Sequence, residues 1–231
     1  MTVTIQTITT PFAFNIPVNC YRVRTSNGDI LIDTGMAKQR HAIAQALDAA
    51  GCQPKTLKLI VLTHGDVDHC GNAAYLRQTF ETPIAMHYDD SGMVERGDLF
   101  WNRKPPNPLI RSLIGLSFRL RQADRFKPDL YVEDGYRFSD YGFDANVIHL
   151  PGHSKGSIGI LTAAGDFFCG DLLGNLHQPE IWSIIDDSAA AKASVERLQH
   201  LNIKMVYPGH GQPFPIEQFI ARSTRSHSIA G

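Results

Sequence analysis

Hydrophobic and polar positions along the chain follow two periods. Over the first third, short β-rich runs alternate with turn residues, predicting strands near 2–8, 20–25 and 29–33, with a hairpin turn at Ser26-Asn27-Gly28. The period then lengthens. Ile43, Ala46, Leu47 and Ala50 recur at helical spacing, so a helix is expected over about 38–50, and Gly51 stands where its C-terminal cap belongs. A short continuous apolar strand at 57–62 and a helix over 71–80 follow. Later, strands are expected at 145–150, 157–162, 167–169 and 205–207, with helices at 188–201 and, briefly, after Pro215. This alternation predicts an α/β fold in one domain spanning 1–231.

One segment departs from the pattern. Between 88 and 131 prolines interrupt the chain, and from 96 to 127 it carries Arg96, Arg103, Lys104, Arg111, Arg119, Arg121, Arg125 and Lys127 against Asp98 and Asp124. We read about 89–130 as a basic insertion. Leu109, Leu113, Leu116 and Leu120 would line one face of a short amphipathic helix there, suited to a lid that meets an anionic substrate.

Composition narrows the function classes. With 22 Lys+Arg against 23 Asp+Glu, the formal charge of −1 argues against a protein held on nucleic acid or anionic membrane by bulk electrostatics. No nucleic-acid partner is expected. Cys20, Cys52, Cys70 and Cys169 are scattered without close pairs, which predicts reduced thiols and a cytoplasmic location. The first twenty residues lack Lys and Arg, so no signal peptide is expected, and no stretch approaches the ~18 apolar residues of a membrane span.

The chemistry concentrates in four glycine-flanked turns: His64-Gly65-Asp66-Val67-Asp68-His69, Pro151-Gly152-His153-Ser154, Gly170-Asp171 and Pro208-Gly209-His210-Gly211. In an extended segment, alternate residues project to one side, so His64, Asp66 and Asp68 can converge while His69 follows at the turn. Imidazole together with carboxylate suits zinc, iron or manganese. The first of these turns also leaves the C-terminal end of a predicted strand, where open α/β sheets place their ligands.

These turns, in this order and after Ile30-Leu31-Ile32-Asp33-Thr34-Gly35, resemble the metallo-β-lactamase-fold superfamily, whose signature is His-x-His-x-Asp-His followed by a His, an Asp and a last His. The resemblance implies an αββα sandwich, two mixed β-sheets flanked by helices, with metals at one edge. It implies two divalent ions, zinc first and iron or manganese as alternatives. His64, Asp66 and His153 would hold one, Asp68, His69 and His210 the other, and Asp171 would bridge them, with Asp33 supporting the site from beneath. Asp66 departs from the family pattern, which has His there. The added carboxylate is expected to make the first position more neutral, a weaker Lewis acid and more accepting of iron or manganese.

The expected activity is hydrolysis. A metal-bridged hydroxide would attack a carboxylic ester, thioester or lactone, with Asp68 as the catalytic residue that orients it and relays a proton. The substrate would be a small molecule, an anionic acyl compound fitting the basic segment. Two alternatives from other classes are a non-haem iron redox enzyme and a phosphodiesterase or nucleic-acid-processing member. His87, His149, His177 and Cys70 are read as rim or structural residues, and Trp101 as packing.

Overall fold

The computed structural model describes residues 3–12, 16–103, 107, 109, 115 and 118–228, with side chains to 222. Two mixed sheets face each other. The first comprises β1 (Thr4–Pro11), β2 (Pro17–Thr25), β3 (Gly28–Ile32), β4 (Leu57–Val61), β5 (Ile84–Met86) and β6 (Leu130–Tyr131), in that order, antiparallel up to β3 and parallel beyond it. The second contains β7 (Ala145–His149), β8 (Ile158–Thr162), β9 (Asp166–Gly170), β12 (Met205–Pro208) and β13 (Phe214–Pro215) in the order β13-β12-β9-β8-β7; only β9 and β12 are parallel there. A separate ribbon pairs β10 (Leu173–Gly174) with β11 (Glu180–Ile181).

Strand alternation divides the core into three apolar layers. In β3, Ile30 and Ile32 face the second sheet, where they meet Val147, Ile160 and Phe168, while Leu31 faces the opposite way. Leu31 there packs with Ile43 and Leu47 of α1 (Arg40–Ala49) and Leu76 of α3 (Ala73–Phe80); the brief α2 (Val67–Cys70) adds Cys70. Beyond the second sheet, Phe167 and Val206 pack on Ala191 and Leu198 of α5 (Ser188–Leu198), and on Phe219 of α6 (Ile216–Ser228). This is the expected αββα sandwich.

The differences from expectation are local. The helix expected over 38–50 begins with a 3-10 turn at Ala37–Gln39, because Met36 and Gln39 offer its N-terminus no side-chain cap. The last helix, expected to be short, runs thirteen residues. Between β5 and β6 the chain passes through α4 (Ser91–Arg96) and a 3-10 turn at Gln122–Asp124. Of the leucine face expected in this crossover, Leu113 and Leu116 lie outside the described residues, Leu120 is buried in the first core layer and Leu109 is exposed. Among the described residues no helix is long and apolar enough to cross a membrane, and all four cysteines are free and buried.

Candidate metal centre

Five strands deliver the site. β3 ends at Asp33, β4 leads to His64, β7 to His153, β9 to Asp171 and β12 to His210, all from C-terminal strand ends gathered on one rim. α2 then turns Asp68 and His69 back toward the same point. The donor atoms form three groups, each within 4.8 Å: His64 with Asp66 and His153, Asp68 with His69 and His210, and His64 with His69 and Asp171. Every residue expected at the centre is therefore brought together. Asp171 lies between the first two groups: its Oδ2 is 3.2 Å from His210 Nε2 and 4.0 Å from His153 Nε2, and its Oδ1 is 3.4 Å from His69 Nε2.

The far side of each imidazole explains how it is aimed. His153 Nδ1 lies 2.7 Å from the Ile184 carbonyl and His210 Nδ1 2.8 Å from the Pro17 carbonyl; a carbonyl only accepts, so both nitrogens carry the proton. His69 Nδ1 lies 2.9 Å from Asp33 Oδ2 and donates to it. The Thr63 hydroxyl donates to Asp33 at 2.8 Å, so it accepts from His64 Nδ1 at 2.9 Å. All four rings thus turn an Nε2 lone pair inward. Asp33 sits at φ 59°, a left-handed conformation that Asp tolerates, and also accepts from the Thr63 backbone N–H at 2.8 Å.

This arrangement passes a test for a cation. His64 Nε2, His69 Nε2 and Asp171 Oδ1 are buried without a hydrogen-bond partner, and the inward Nε2 atoms converge with carboxylate oxygens. Buried acceptors set against one another are costly unless a positive charge lies among them. The donor set of nitrogen and oxygen fits divalent zinc, iron or manganese. Gly209 permits the close packing, since a Cβ there would run into the Asp171 carboxylate and the His69 ring.

Protonation follows the same competition. Burial would push His69, His153 and His210 down, but neighbouring carboxylates outweigh it: Asp171 for His69 and His210, Asp66 for His153. All three are raised. His64 is lowered by burial, with His69 and His153 adding repulsion. Burial also opposes ionisation of Asp171, yet His210 and His69 hold it well below the usual carboxylate range. Asp68 is raised by burial, with Asp171 and Asp66 adding to it against the pull of His69.

Asp66 brings a correction to the charge expected of the first group. Arg103 grips it with two nitrogens, Nη1 at 2.6 Å from Oδ1 and Nη2 at 3.2 Å from Oδ2, and Arg103 Nε lies 2.7 Å from Asp186. Burial opposes the Asp66 anion, but Arg103 outweighs it and, with the His153 contact at 2.9 Å, holds the carboxyl well below its usual range. The extra carboxylate is therefore not an uncompensated charge. Arg103 meets a site carboxylate, not the substrate anion that the lid reading gave the segment's arginines.

Above the donors opens a cleft of about 440 Å³ whose apolar wall includes Phe12, Ile16, Leu99, Phe100, Trp182 and Ile184. Trp182 stacks on His210 with centroids 4.4 Å apart and planes at 8°. Neither Arg103 nor Trp182 stood out in the sequence; the basic run around 103 was the one available signal. The residues set aside stand outside the three donor groups: His87 stacks on His149 at 4.3 Å, His177 is exposed, Cys70 is buried against the Gly65 carbonyl and Trp101 packs over Gly92. The His210 loop is tied to β2, where Asn19 Nδ2 donates to the Pro208 and Gly211 carbonyls at 3.1 and 2.7 Å and the Tyr21 hydroxyl donates to Pro208 at 2.6 Å.

Residues 14–210 match the sequence profile of the Metallo-beta-lactamase superfamily. The chain belongs to this superfamily, whose members are mostly metal-dependent hydrolases. It is 27% identical over 236 residues to the acyl-coenzyme A thioesterase MBLAC2 of Bos taurus, covering 92% of this chain and 80% of that one. It is 34% identical over 119 residues to the hydroxyacylglutathione hydrolase GloC of Haemophilus influenzae, across 51% of this chain and 50% of that relative. Among solved structures it is similar to TTHA1623 in a di-iron-bound form, with a TM-score of 0.70, 25% identity and coverage of 91% and 96%.

Proposed function

We propose that the chain is a metal-dependent hydrolase of acyl thioesters, with two metal positions filled by zinc, or by iron or manganese in its place. The observation that carries this reading is the set of inward Nε2 atoms and carboxylates at the floor of an apolar cleft. His64, Asp66 and His153 would hold one ion, Asp68, His69 and His210 the other, and Asp171 would reach both. Such ions supply a water activated near neutral pH and polarise the carbonyl under attack.

The remaining work falls to the protein. The apolar wall takes the acyl chain and keeps bulk water from the carbonyl. Asp68 would orient the attacking water, receive its proton and pass it to the departing sulfur; a C–O bond forms as the C–S bond breaks, leaving acid and thiol. Thioesters are favoured over esters and lactones because a thiol, with pKa near ~8.5, leaves as a weaker base than an alkoxide. Acyl-coenzyme A and hydroxyacylglutathione, the compounds in the two relatives' names, are both thioesters. Iron has independent support in the oxygen donor at Asp66 and in the di-iron form of TTHA1623.

The test is metal analysis of the purified protein followed by a panel of thioester, ester, lactone and phosphodiester substrates. The expected outcome is near two metals per chain and the highest kcat/KM on a thioester. Preference for a phosphodiester, or full thioester hydrolysis by the metal-free protein, would overturn the reading.

A further inference from the structure

A second pocket, of about 450 Å³, adjoins the metal cleft. The two share Val67 and Phe118, and Val67 lies between the donors Asp66 and Asp68. The pockets differ in chemistry. The metal cleft is largely apolar, whereas the second pocket is lined by Lys38, Arg40, Arg119 and Arg121 with Asp124 as its single carboxylate. Asp124 pairs with Arg40. Lys38, Arg119 and Arg121 are exposed, and no described carboxylate pairs with them. The pocket also takes in Met36, Ala37 and Lys38, where the 3-10 turn that leads into α1 begins.

We propose that this pocket binds the phosphate groups of a thiol carrier, the leaving half of the thioester whose acyl half occupies the metal cleft. The inference rests on the thioester reading and adds the site that selects the carrier. Phosphates suit the lining because guanidinium groups meet them with paired donors, and three cations can share a multiply charged ligand. The junction at Val67 and Phe118 places the scissile bond at the metal donors while its two halves enter different pockets. Release of carrier thiol and release of acid then occur from separate surfaces.

One acyl group on three carriers tests this: coenzyme A, which bears phosphates; pantetheine, which bears none; and glutathione, which bears carboxylates. The expected result is a KM for the coenzyme A thioester roughly tenfold below that for pantetheine, the sum of a few solvent-exposed charge contacts. In the triple variant Lys38→Gln, Arg119→Gln, Arg121→Gln that advantage should vanish while turnover of the pantetheine thioester is kept. Equal KM on coenzyme A and pantetheine in the unsubstituted protein, a triple-variant loss that falls equally on both, or preference for glutathione would each overturn the proposal. Calorimetric titration of metal-free protein with adenosine 3′,5′-bisphosphate makes the test independent of catalysis. Binding that weakens at least tenfold in the triple variant supports the site, and no binding to the unsubstituted protein refutes it. Failure to hydrolyse any thioester would instead strike the reading of the metal centre.

Discussion

The floor and the wall of the cleft are built by opposite means. At the floor each imidazole is held from behind by an acceptor, and its neighbours are buried strand ends from both sheets. The wall draws on the crossover between β5 and β6, where Leu99, Phe100 and Arg103 reach the cleft from a segment whose described residues join no sheet. Arg103 is where the two meet. A residue of the wall thus completes the charge balance of the floor, so the two regions cannot be substituted independently.

The largest effect should come from the floor. Replacing Asp171 by Ala should remove bound metal and lower kcat/KM by roughly 10³-fold, the scale of losing a principal electrostatic contact; elemental analysis with kinetics reads both. Retained metal and activity would show that Asp171 does not serve both groups. Next comes the junction. Arg103→Gln leaves Asp66 buried without its partner, which should weaken metal binding at the first position by about 10–100-fold and reduce stability by about 3 kcal/mol. Zinc titration and denaturant unfolding measure these; a variant with unchanged metal affinity would confine Arg103 to the wall.

A pH series sharpens the comparison further. His69, His153 and His210 have folded pKa values above their ordinary one, so in the metal-free protein their stabilisation is complete below ~6.5 and fades as pH rises through the raised values. Metal must displace those protons, so its affinity rises with pH. The melting-temperature gap between zinc-loaded and chelator-stripped protein should therefore widen from about pH 6 to about pH 9. A constant gap would mean that these imidazoles are not the donors. The smallest effect belongs to the wall alone: Phe100→Ala should raise KM for long acyl chains by roughly tenfold, equivalent to ~1.4 kcal/mol of lost apolar contact, and leave metal content unchanged.

Legibility in the sequence follows the same division. The floor was legible because its donors sit in short glycine-flanked turns at strand ends, where local spacing and chain order carry the information. The layers were not legible: Ile30, Leu31 and Ile32 form one apolar run, and their division between two cores emerges only once β3 lies between two packed faces. Arg103 was not legible, since its partner Asp66 lies 37 positions away and nothing local marks one arginine of a basic run. Trp182 was hidden for the same reason: it becomes a wall only when the β10–β11 ribbon lays it on His210. The short strands β6, β10, β11 and β13 have two residues each, too few for a period to register.

The ties from β2 to the His210 loop also bear on how the molecule comes into being. Pro17, Asn19 and Tyr21 meet Pro208, His210 and Gly211 across nearly the whole chain, with separations of 187 to 193 positions. Contacts of such high order close late, because the entropy of the loop must be overcome before they give anything back. During synthesis His210 is also the last of the donors to be made. Maturation of the centre should therefore be a terminal event in folding, with metal capture reporting that the two ends of the chain have met.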